Sequence, residues 1–198
     1  MNVYLSKPQT IKTMKTNLYS ESSSDALDFD RLKKFAIDLL PTKDKVLGLY
    51  ILTGIYTGLR YSDLSRLTYE EILNESNLIL TEKKTNKLRE IKINSELKAI
   101  VKTYIGTGFI FTSNKGGIYA IQSLNRLLKE RVQPLFPKKN ISTHSLRKTF
   151  GNRVYLMSGK SPQSITLLCD VFNHSSESIT KRYLGITKEE ILNVYDII

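Results

Sequence analysis

Apolar residues recur with helical spacing over most of this 198-residue chain. From Phe29 to Leu40 they return every three or four positions, and Pro41 then closes the pattern, as expected at the end of an amphipathic helix. A second apolar stretch stops at Thr57-Gly58, where glycine permits a sharp change of direction. The pattern predicts helices over 28–40, 44–56, 95–105, 121–132, 144–158 and 162–172, and a final short one from Thr187.

Two short apolar segments have the character of strands. Leu78-Ile79-Leu80 and Glu90-Ile91-Lys92-Ile93 flank the polar run 83–87, which contains three lysines. This arrangement predicts a β-hairpin with a basic tip. The predicted fold is therefore mainly α with a small antiparallel β-sheet, in the α+β class.

The domain organisation follows from the same pattern. Residues 1–24 are polar, rich in serine and threonine, and without sustained periodicity, so we predict a flexible lead or the remnant of an interdomain linker. Residues 25–198 are long enough to form one domain with a buried core. We expect a single folded unit over that range.

Charge is concentrated in the middle of the chain. The 30 Lys and Arg residues outnumber the 19 Asp and Glu residues, and residues 81–160 alone hold 17 basic and 4 acidic side chains. Such a local excess favours binding of a polyanion such as double-stranded DNA. On charge alone, a solvated basic surface is the alternative.

Composition also excludes several classes of protein. The single cysteine, Cys169, cannot form an intrachain disulfide, which fits a reducing cytosol. No apolar run has the length of a membrane span, and no signal-peptide stretch opens the chain, so we predict a cytoplasmic protein with no membrane partner. With two histidines and one cysteine, a structural zinc site is not expected.

Residues suited to phosphate chemistry occur at wide intervals along the chain. In order they are Arg60, Lys84, His144, Arg147, His174 and Tyr183. A planar guanidinium can donate two hydrogen bonds to phosphate oxygens, and a tyrosine hydroxyl, with an unperturbed pKa of about 10, needs neighbouring bases or cations to act as a nucleophile. Each residue also has an ordinary alternative role. The arginine after a helix could simply lie on the surface, a hairpin lysine could simply be solvated, and most of the 11 tyrosines must be core or surface residues.

Their order and local context resemble the tyrosine recombinases, also called the phage integrase family. The resemblance rests on Thr57-Gly58-Leu59-Arg60, on the segment from His144 to Phe150, and on His174 placed nine residues before Tyr183. It extends over residues 57–185 and implies the catalytic-domain fold of DNA breaking-rejoining enzymes. Family members usually carry an N-terminal core-binding domain as well, so we expect this chain to correspond to the catalytic domain alone.

The resemblance implies a role for each residue of the site. Tyr183 would attack the scissile phosphodiester and form a 3′-phosphotyrosine link, without a metal, ATP or another cofactor. Arg60 and Arg147 would neutralise the phosphate oxygens as charge develops in the transition state.

Proton transfer and the remaining phosphate contact are implied for three further residues. His144 would help to accept the tyrosine proton, and His174 would hydrogen-bond the phosphate. A lysine on the hairpin would protonate the leaving 5′-oxygen. Lys84 fits this role best, with Lys83 and Lys87 as alternatives.

Two positions depart from the family pattern. Asp63 stands where a glutamate is more usual, three residues after Arg60, and would orient its guanidinium with a shorter side chain. Asn173 replaces the glycine that usually precedes the second histidine. Because asparagine tolerates a left-handed backbone, we expect the turn to be preserved.

The function implied is that of a site-specific DNA recombinase or integrase of a mobile genetic element. Family members act as four protomers on paired sites of double-stranded DNA, so a homotetramer on DNA and a monomer without it are expected. Residues 188–198 could dock on a neighbouring protomer or pack back on their own domain. A type IB topoisomerase and a non-catalytic DNA-binding regulator on the same scaffold are the alternatives.

Overall fold

The computed structural model describes residues 24–74, 77–113 and 116–186. Within these ranges the elements are α1 (Phe29–Leu39), α2 (Lys45–Thr57), α3 (Tyr61–Leu64), α4 (Tyr69–Leu73), β1 (Leu78–Thr81), β2 (Leu88–Ile91), α5 (Ser95–Thr103), α6 (Ile121–Val132), a 3₁₀ turn (Gln133–Leu135), α7 (Thr143–Met157), α8 (Pro162–Val171) and α9 (Glu177–Leu184). The predicted class, mainly helical with one antiparallel pair of strands, is confirmed. The predicted lead (except Ser24), the helix from Thr187 and the segment 188–198 lie outside the described residues.

Helix α2 forms the centre of the core. It is apolar on every side, and Leu49, Ile51 and Ile55 are fully buried, as expected of a helix surrounded by other elements. Helix α1 packs on one side of it and α7 on another. Tyr50 meets Phe111 edge to face, with ring centroids 5.3 Å apart. The C-terminal end of α2 is therefore a fixed point from which the next turn is built.

A left-handed glycine ends α2. Gly58 has φ 60° and donates its backbone N–H to the carbonyl of Gly54, so the helix stops where the sequence predicted. A Cβ atom at this position would lie 2.4 Å from the ring of Phe150 on α7. Glycine is therefore needed both for the conformation and for the close approach of α7. Two residues later, Arg60 caps α3.

The hairpin forms where it was predicted, but its second strand is displaced by two residues. Leu78 pairs with Ile91 and Thr81 with Leu88, so β2 covers 88–91 and not 90–93. A tight turn sets this register, because the backbone of Glu82 donates to the carbonyl of Lys87. Periodicity alone did not reveal how short the turn is.

Three short helices were not predicted from the pattern. Helices α3 and α4 have four and five residues, too few to show a hydrophobic period, and a capping box between Thr68 and Glu71 starts α4. Helix α9 has eight residues, of which only Thr180 is fully buried. None of the helices in the described ranges is long and apolar enough to cross a membrane.

Candidate active site

The two candidate phosphate-binding arginines converge on one backbone atom. Arg60 Nη2 donates to the carbonyl oxygen of Phe172 at 3.0 Å, and Arg147 Nη2 donates to the same oxygen at 2.9 Å. Phe172 is the C-terminal cap of α8. Residues 87 positions apart in the sequence are thus brought together by the end of a third element.

Arg147 is held rigidly from several sides. Its Nη1 donates to the carbonyl of Gly58 at 2.6 Å, and its guanidinium carbon lies 4.3 Å from the centre of the Phe172 ring. The residue is 2% exposed. Burial lowers the pKa of Arg147 to about 10, which still leaves the group charged at neutral pH.

Tyr183 lies on α9 with its hydroxyl inside the protein. Its ring centroid is 5.2 Å from that of Phe172 and 5.3 Å from that of His174. The hydroxyl oxygen is buried, and no well-formed hydrogen bond reaches it among the described residues, although Arg147 is near enough to oppose the rise of its pKa. Desolvation raises the pKa of Tyr183 to about 12, although the charges of Arg147 and Arg60 oppose this shift.

His174 lies in a left-handed turn between α8 and α9. Its Nδ1 is 3.0 Å from Thr180 Oγ1, and its ring contacts that of Phe172 in a tilted arrangement, with centroids 5.3 Å apart. Burial, together with the charges of Arg147 and Arg60, lowers the pKa of His174 to about 4, so the imidazole is neutral at pH 7. Asn173 has φ 49°, which confirms that asparagine preserves the turn.

His144 and Lys84 are exposed at the edge of this cluster. His144 lies in the first turn of α7, and partial desolvation together with the charges of Arg147 and Lys84 lowers its pKa. The charge of Lys84 also contributes to the lowered pKa of His174. From the hairpin turn, the charge of Lys84 therefore helps to lower the pKa of both imidazoles. Within the described residues, no hydrogen bond or ring contact joins His144 to Tyr183.

The carboxylate that contacts Arg60 is Glu82, a residue that sequence reasoning missed. Arg60 Nη1 donates to Glu82 Oε2 at 2.6 Å, and Arg89 Nη1 donates to Oε1 at 3.1 Å. Burial alone would raise the pKa of Glu82, but hydrogen bonds from Thr85 and Asn173 and the charge of Arg60 lower it to about 2. A lone glutamate beside two lysines carries no signal of burial in the sequence.

The expectation that Asp63 orients Arg60 was wrong. Asp63 Oδ1 accepts the backbone N–H of Lys83 at 3.0 Å and the hydroxyl of Ser62 at 3.2 Å. Its other carboxylate oxygen is buried without a partner among the described residues. The shorter side chain at this position thus anchors the start of the hairpin turn, and Glu82 takes the contact with Arg60.

Lys148 is a second residue that sequence reasoning did not single out. Its Nζ lies 5.1 Å from the centre of the Tyr183 ring and donates to the carbonyl of Ser24 at 2.7 Å. The side chain is almost fully buried. Lys148 belongs to the segment from His144 to Phe150 that carries the family resemblance, but no role was assigned to it from the sequence.

Comparison with known proteins agrees with this geometry. The family model described as "Phage integrase family" matches residues 25–190. A protein named "Probable integrase/recombinase YoeC" from Bacillus subtilis is 35% identical over 150 residues, which cover 73% of this chain and 80% of that protein. A tyrosine recombinase XerC from Pelobacter propionicus is 26% identical over 181 residues, or 86% of this chain and 58% of its own length.

A solved structure has a similar fold. The crystal structure of the XerH site-specific recombinase bound to a palindromic difH substrate has a TM-score of 0.65 at 15% identity, and the match covers 89% of this chain and 54% of that one. The chain thus spans little more than half of XerC and of XerH. Because the family model covers most of the chain and the YoeC match covers most of both proteins, the chain belongs to the phage integrase family of tyrosine recombinases.

Proposed function

We propose that this chain is the catalytic domain of a site-specific DNA recombinase that works through a 3′-phosphotyrosine intermediate. The observation that carries the proposal is the convergence of Arg60, Arg147 and Tyr183 around Phe172, where two guanidinium groups donate to one oxygen and the tyrosine ring packs beside them. The similar XerH structure is described as a post-cleavage complex with its DNA substrate, which supports DNA as the partner.

The arginines provide the electrostatic part of the mechanism. Each guanidinium has five N–H donors, and two of these on each of Arg60 and Arg147 are used by the described acceptors. The remaining donors can bind the non-bridging oxygens of the scissile phosphate. Because both groups are already oriented by fixed acceptors, little reorganisation is needed as negative charge develops on the phosphate.

The covalent step exchanges one phosphodiester for another. The Tyr183 oxygen forms a bond to phosphorus as the bond to the 5′-oxygen breaks, and the phenol proton passes to His144. Lys84 gives a proton to the leaving 5′-oxygen, and a 5′-hydroxyl reverses the step during rejoining. A neutral His144 is available to accept the proton, because its pKa is lowered from the usual 6.5.

His174 contributes a hydrogen bond and not a charge. Its Nδ1 faces Thr180, which leaves the other ring nitrogen for a phosphate oxygen. Since phosphodiester bond energy is kept in the phosphotyrosine, the reaction as proposed uses neither ATP nor a metal ion. Two such exchanges on paired sites, by four protomers of a mobile-element integrase, would complete recombination.

The test is formation of a covalent protein–DNA adduct on a nicked suicide substrate. The wild-type chain should remain attached to DNA after denaturation, and Tyr183→Phe should not. Arg147→Ala should abolish the adduct as well. Duplex binding without an adduct from the wild-type chain would favour a DNA-binding regulator, and relaxation of supercoiled plasmid without strand exchange would favour a topoisomerase.

The role of Lys84 can be tested with a changed leaving group. A substrate with sulfur at the bridging 5′ position releases a thiol, whose pKa of about 8.5 makes protonation unnecessary. Lys84→Ala should slow cleavage of the normal substrate and leave cleavage of the sulfur substrate near the wild-type rate. Lys83→Ala and Lys87→Ala are the matched controls on the same turn. If either shows this pattern in place of Lys84→Ala, the assignment moves to that residue.

A further inference from the structure

We propose that Glu82 is a positioning residue that holds the guanidinium of Arg60 in the orientation needed for the scissile phosphate. The inference rests on the proposed function, because it assigns Arg60 to the phosphate. Glu82 itself lies behind Arg60 and would not touch the DNA. Nothing in the family resemblance pointed to this position.

Four donors surround the Glu82 carboxylate. Oε2 accepts from Arg60 Nη1 at 2.6 Å, from Thr85 Oγ1 at 2.8 Å and from Asn173 Nδ2 at 3.1 Å. Oε1 accepts from Arg89 Nη1 at 3.1 Å. The side chain has no exposed surface, so these bonds do not compete with water. Such a fully satisfied network has one low-energy arrangement and therefore fixes its members in place.

The donors come from separate parts of the fold. Arg60 follows the end of α2, Thr85 lies in the hairpin turn with Lys84, and Asn173 precedes His174. Arg89 also donates to the carbonyl of Thr57, the last residue of α2, at 3.1 Å. A single carboxylate thus connects the three segments that carry Arg60, the hairpin lysine and the second histidine.

The chemistry of the site requires an acceptor that carries a negative charge. All four neighbours present N–H or O–H groups, and an ionised carboxylate accepts on both oxygens without presenting a donor of its own. A glutamine would direct an amide NH₂ group either at the three donors that converge on Oε2 or at the Arg89 donor on Oε1. We therefore expect Glu82→Gln to rotate or loosen Arg60 while leaving the exposed DNA-binding surface unchanged.

The experiment is a double-mutant cycle on the rate of single-turnover cleavage of the suicide substrate. Glu82→Gln should slow cleavage by about 10- to 100-fold, the range that loss of an orienting partner costs at metal sites. Arg60→Lys keeps the charge but loses the planar guanidinium that Glu82 would orient. The double variant Glu82→Gln/Arg60→Lys should therefore cleave no more than about threefold more slowly than Arg60→Lys alone. The affinity for the same DNA should change little.

A matched control on the same hairpin is Glu90→Gln, because Glu90 is exposed and accepts only from Asn77 among the described residues. It should cleave at the wild-type rate. If Glu82→Gln slows cleavage by the same factor in the wild-type chain and in the Arg60→Lys chain, Glu82 serves only to hold the fold, and the proposal is overturned. A normal rate for Glu82→Gln overturns it as well.

Two further measurements keep the outcome clear. If urea denaturation shows that Glu82→Gln is unfolded at the assay temperature, Glu82→Asp replaces it in the same cycle, since it keeps the charge but is one methylene too short for the full set of contacts. A wild-type chain without an adduct, or a Tyr183→Phe chain with one, contradicts the proposed function. An adduct that depends on Tyr183 but not on Glu82 contradicts this inference alone.

Discussion

Desolvation controls the protonation state of the residues around Tyr183. Burial raises the pKa of Tyr183 to about 12 and lowers that of His174 to about 4, so both are neutral at pH 7. Arg147 stays charged although it is 2% exposed. At the scale of single residues, the site therefore holds fixed positive charge next to a neutral nucleophile, as needed if the proton leaves only when the phosphate is attacked.

The buried hydroxyl of Tyr183 has a measurable cost in stability. Because no well-formed hydrogen bond reaches this oxygen among the described residues, Tyr183→Phe should raise the free energy of unfolding by about 1 kcal/mol, within the range of about 1–3 kcal/mol that an unsatisfied polar group costs. Urea denaturation measures the change. Tyr61→Phe is the control, because its hydroxyl donates to the carbonyl of Tyr119 at 2.6 Å and its loss should lower stability. A fall in stability for both variants would show that the Tyr183 hydroxyl is hydrogen-bonded.

The histidine in the turn makes stability depend on pH. The folded-state pKa of His174, about 4, lies below the usual 6.5, so the unfolded chain binds more protons between these values. The stability associated with a neutral His174 is present above pH 6.5 and is lost as pH falls from 6.5 toward 4. His174→Gln should therefore lose less free energy of unfolding between pH 7 and pH 5 than the wild-type chain does.

The stability that depends on His174 and the stability that depends on Glu82 are lost in different pH ranges. Glu82 has a pKa of about 2, so the stability that it contributes is lost only below about pH 4.5. His144→Gln is the control for a second imidazole whose pKa is also lowered, and it should change the dependence less because His144 is exposed. Equal slopes for the wild-type chain and His174→Gln would mean that His174 titrates normally.

Turns, more than long helices, bring the site together at the scale of elements. Gly58 directs the chain from α2 to Arg60, and the left-handed Asn173 directs it from α8 to His174. A third turn, at the hairpin, places Lys84 and lies against Asp63 through the backbone of Lys83. Each turn is short and needs a particular residue at one position, so substitutions there should disturb catalysis more than substitutions on helix surfaces.

Gly58→Ala tests how closely the first turn must fit. An alanine would be strained at φ 60° and would place its Cβ 2.4 Å from Phe150. Gly159 also follows a helix with φ 64°, but nothing lies within 4 Å of its missing Cβ, so Gly159→Ala reports the strain alone. Gly58→Ala should lower the free energy of unfolding by about 1–3 kcal/mol more than Gly159→Ala, the usual cost of overpacking.

The same pair of variants also reports on catalysis. The carbonyl of Gly58 accepts from Arg147, so Gly58→Ala should reduce adduct formation, whereas Gly159→Ala should not. Denaturation curves and the suicide-substrate assay measure the two effects. Similar behaviour of both variants would mean that α7 moves away from Phe150 without disturbing the arginine.

Charge dominates at the scale of the whole molecule. The chain carries a formal net charge of +11, and Lys84, His144 and Arg147 belong to the segment 81–160, in which basic residues prevail. Neutralising phosphates releases counterions, and each contact contributes about −0.9 to the slope of log affinity against log salt concentration. DNA binding by this domain should therefore weaken steeply with added salt.

One exposed lysine of the hairpin should contribute to that slope. Lys87→Ala should reduce its magnitude by about 1 on duplexes of any sequence, as expected for a phosphate contact. Lys34→Ala, on the exposed side of α1, is the control and should leave the slope unchanged. Fluorescence anisotropy over a range of salt concentrations measures both variants. An unchanged slope for Lys87→Ala would place the DNA away from the hairpin tip.

Local patterns determined much of what could be predicted. The long helices, the hairpin and the end of α2 at Gly58 follow from hydrophobic spacing and backbone preferences within a few residues. The left-handed turn at Asn173 was expected from the family resemblance, because asparagine tolerates the backbone that glycine usually adopts there. The six candidate site residues were found from short motifs, and the structure brings them to one region. Their catalytic roles remain predictions until the cleavage assays are made.

Tertiary structure decided which groups hold those residues in place. Glu82 meets Asn173 across 91 positions and Lys148 meets Ser24 across 124, and no local pattern marks either pair. Asp63 was assigned to Arg60 because the family pattern has an acidic residue three positions after this arginine, yet it binds the hairpin instead. Burial and long-range contact determine the partner of a polar side chain, because a buried donor or acceptor must be satisfied by whatever group the fold brings within reach.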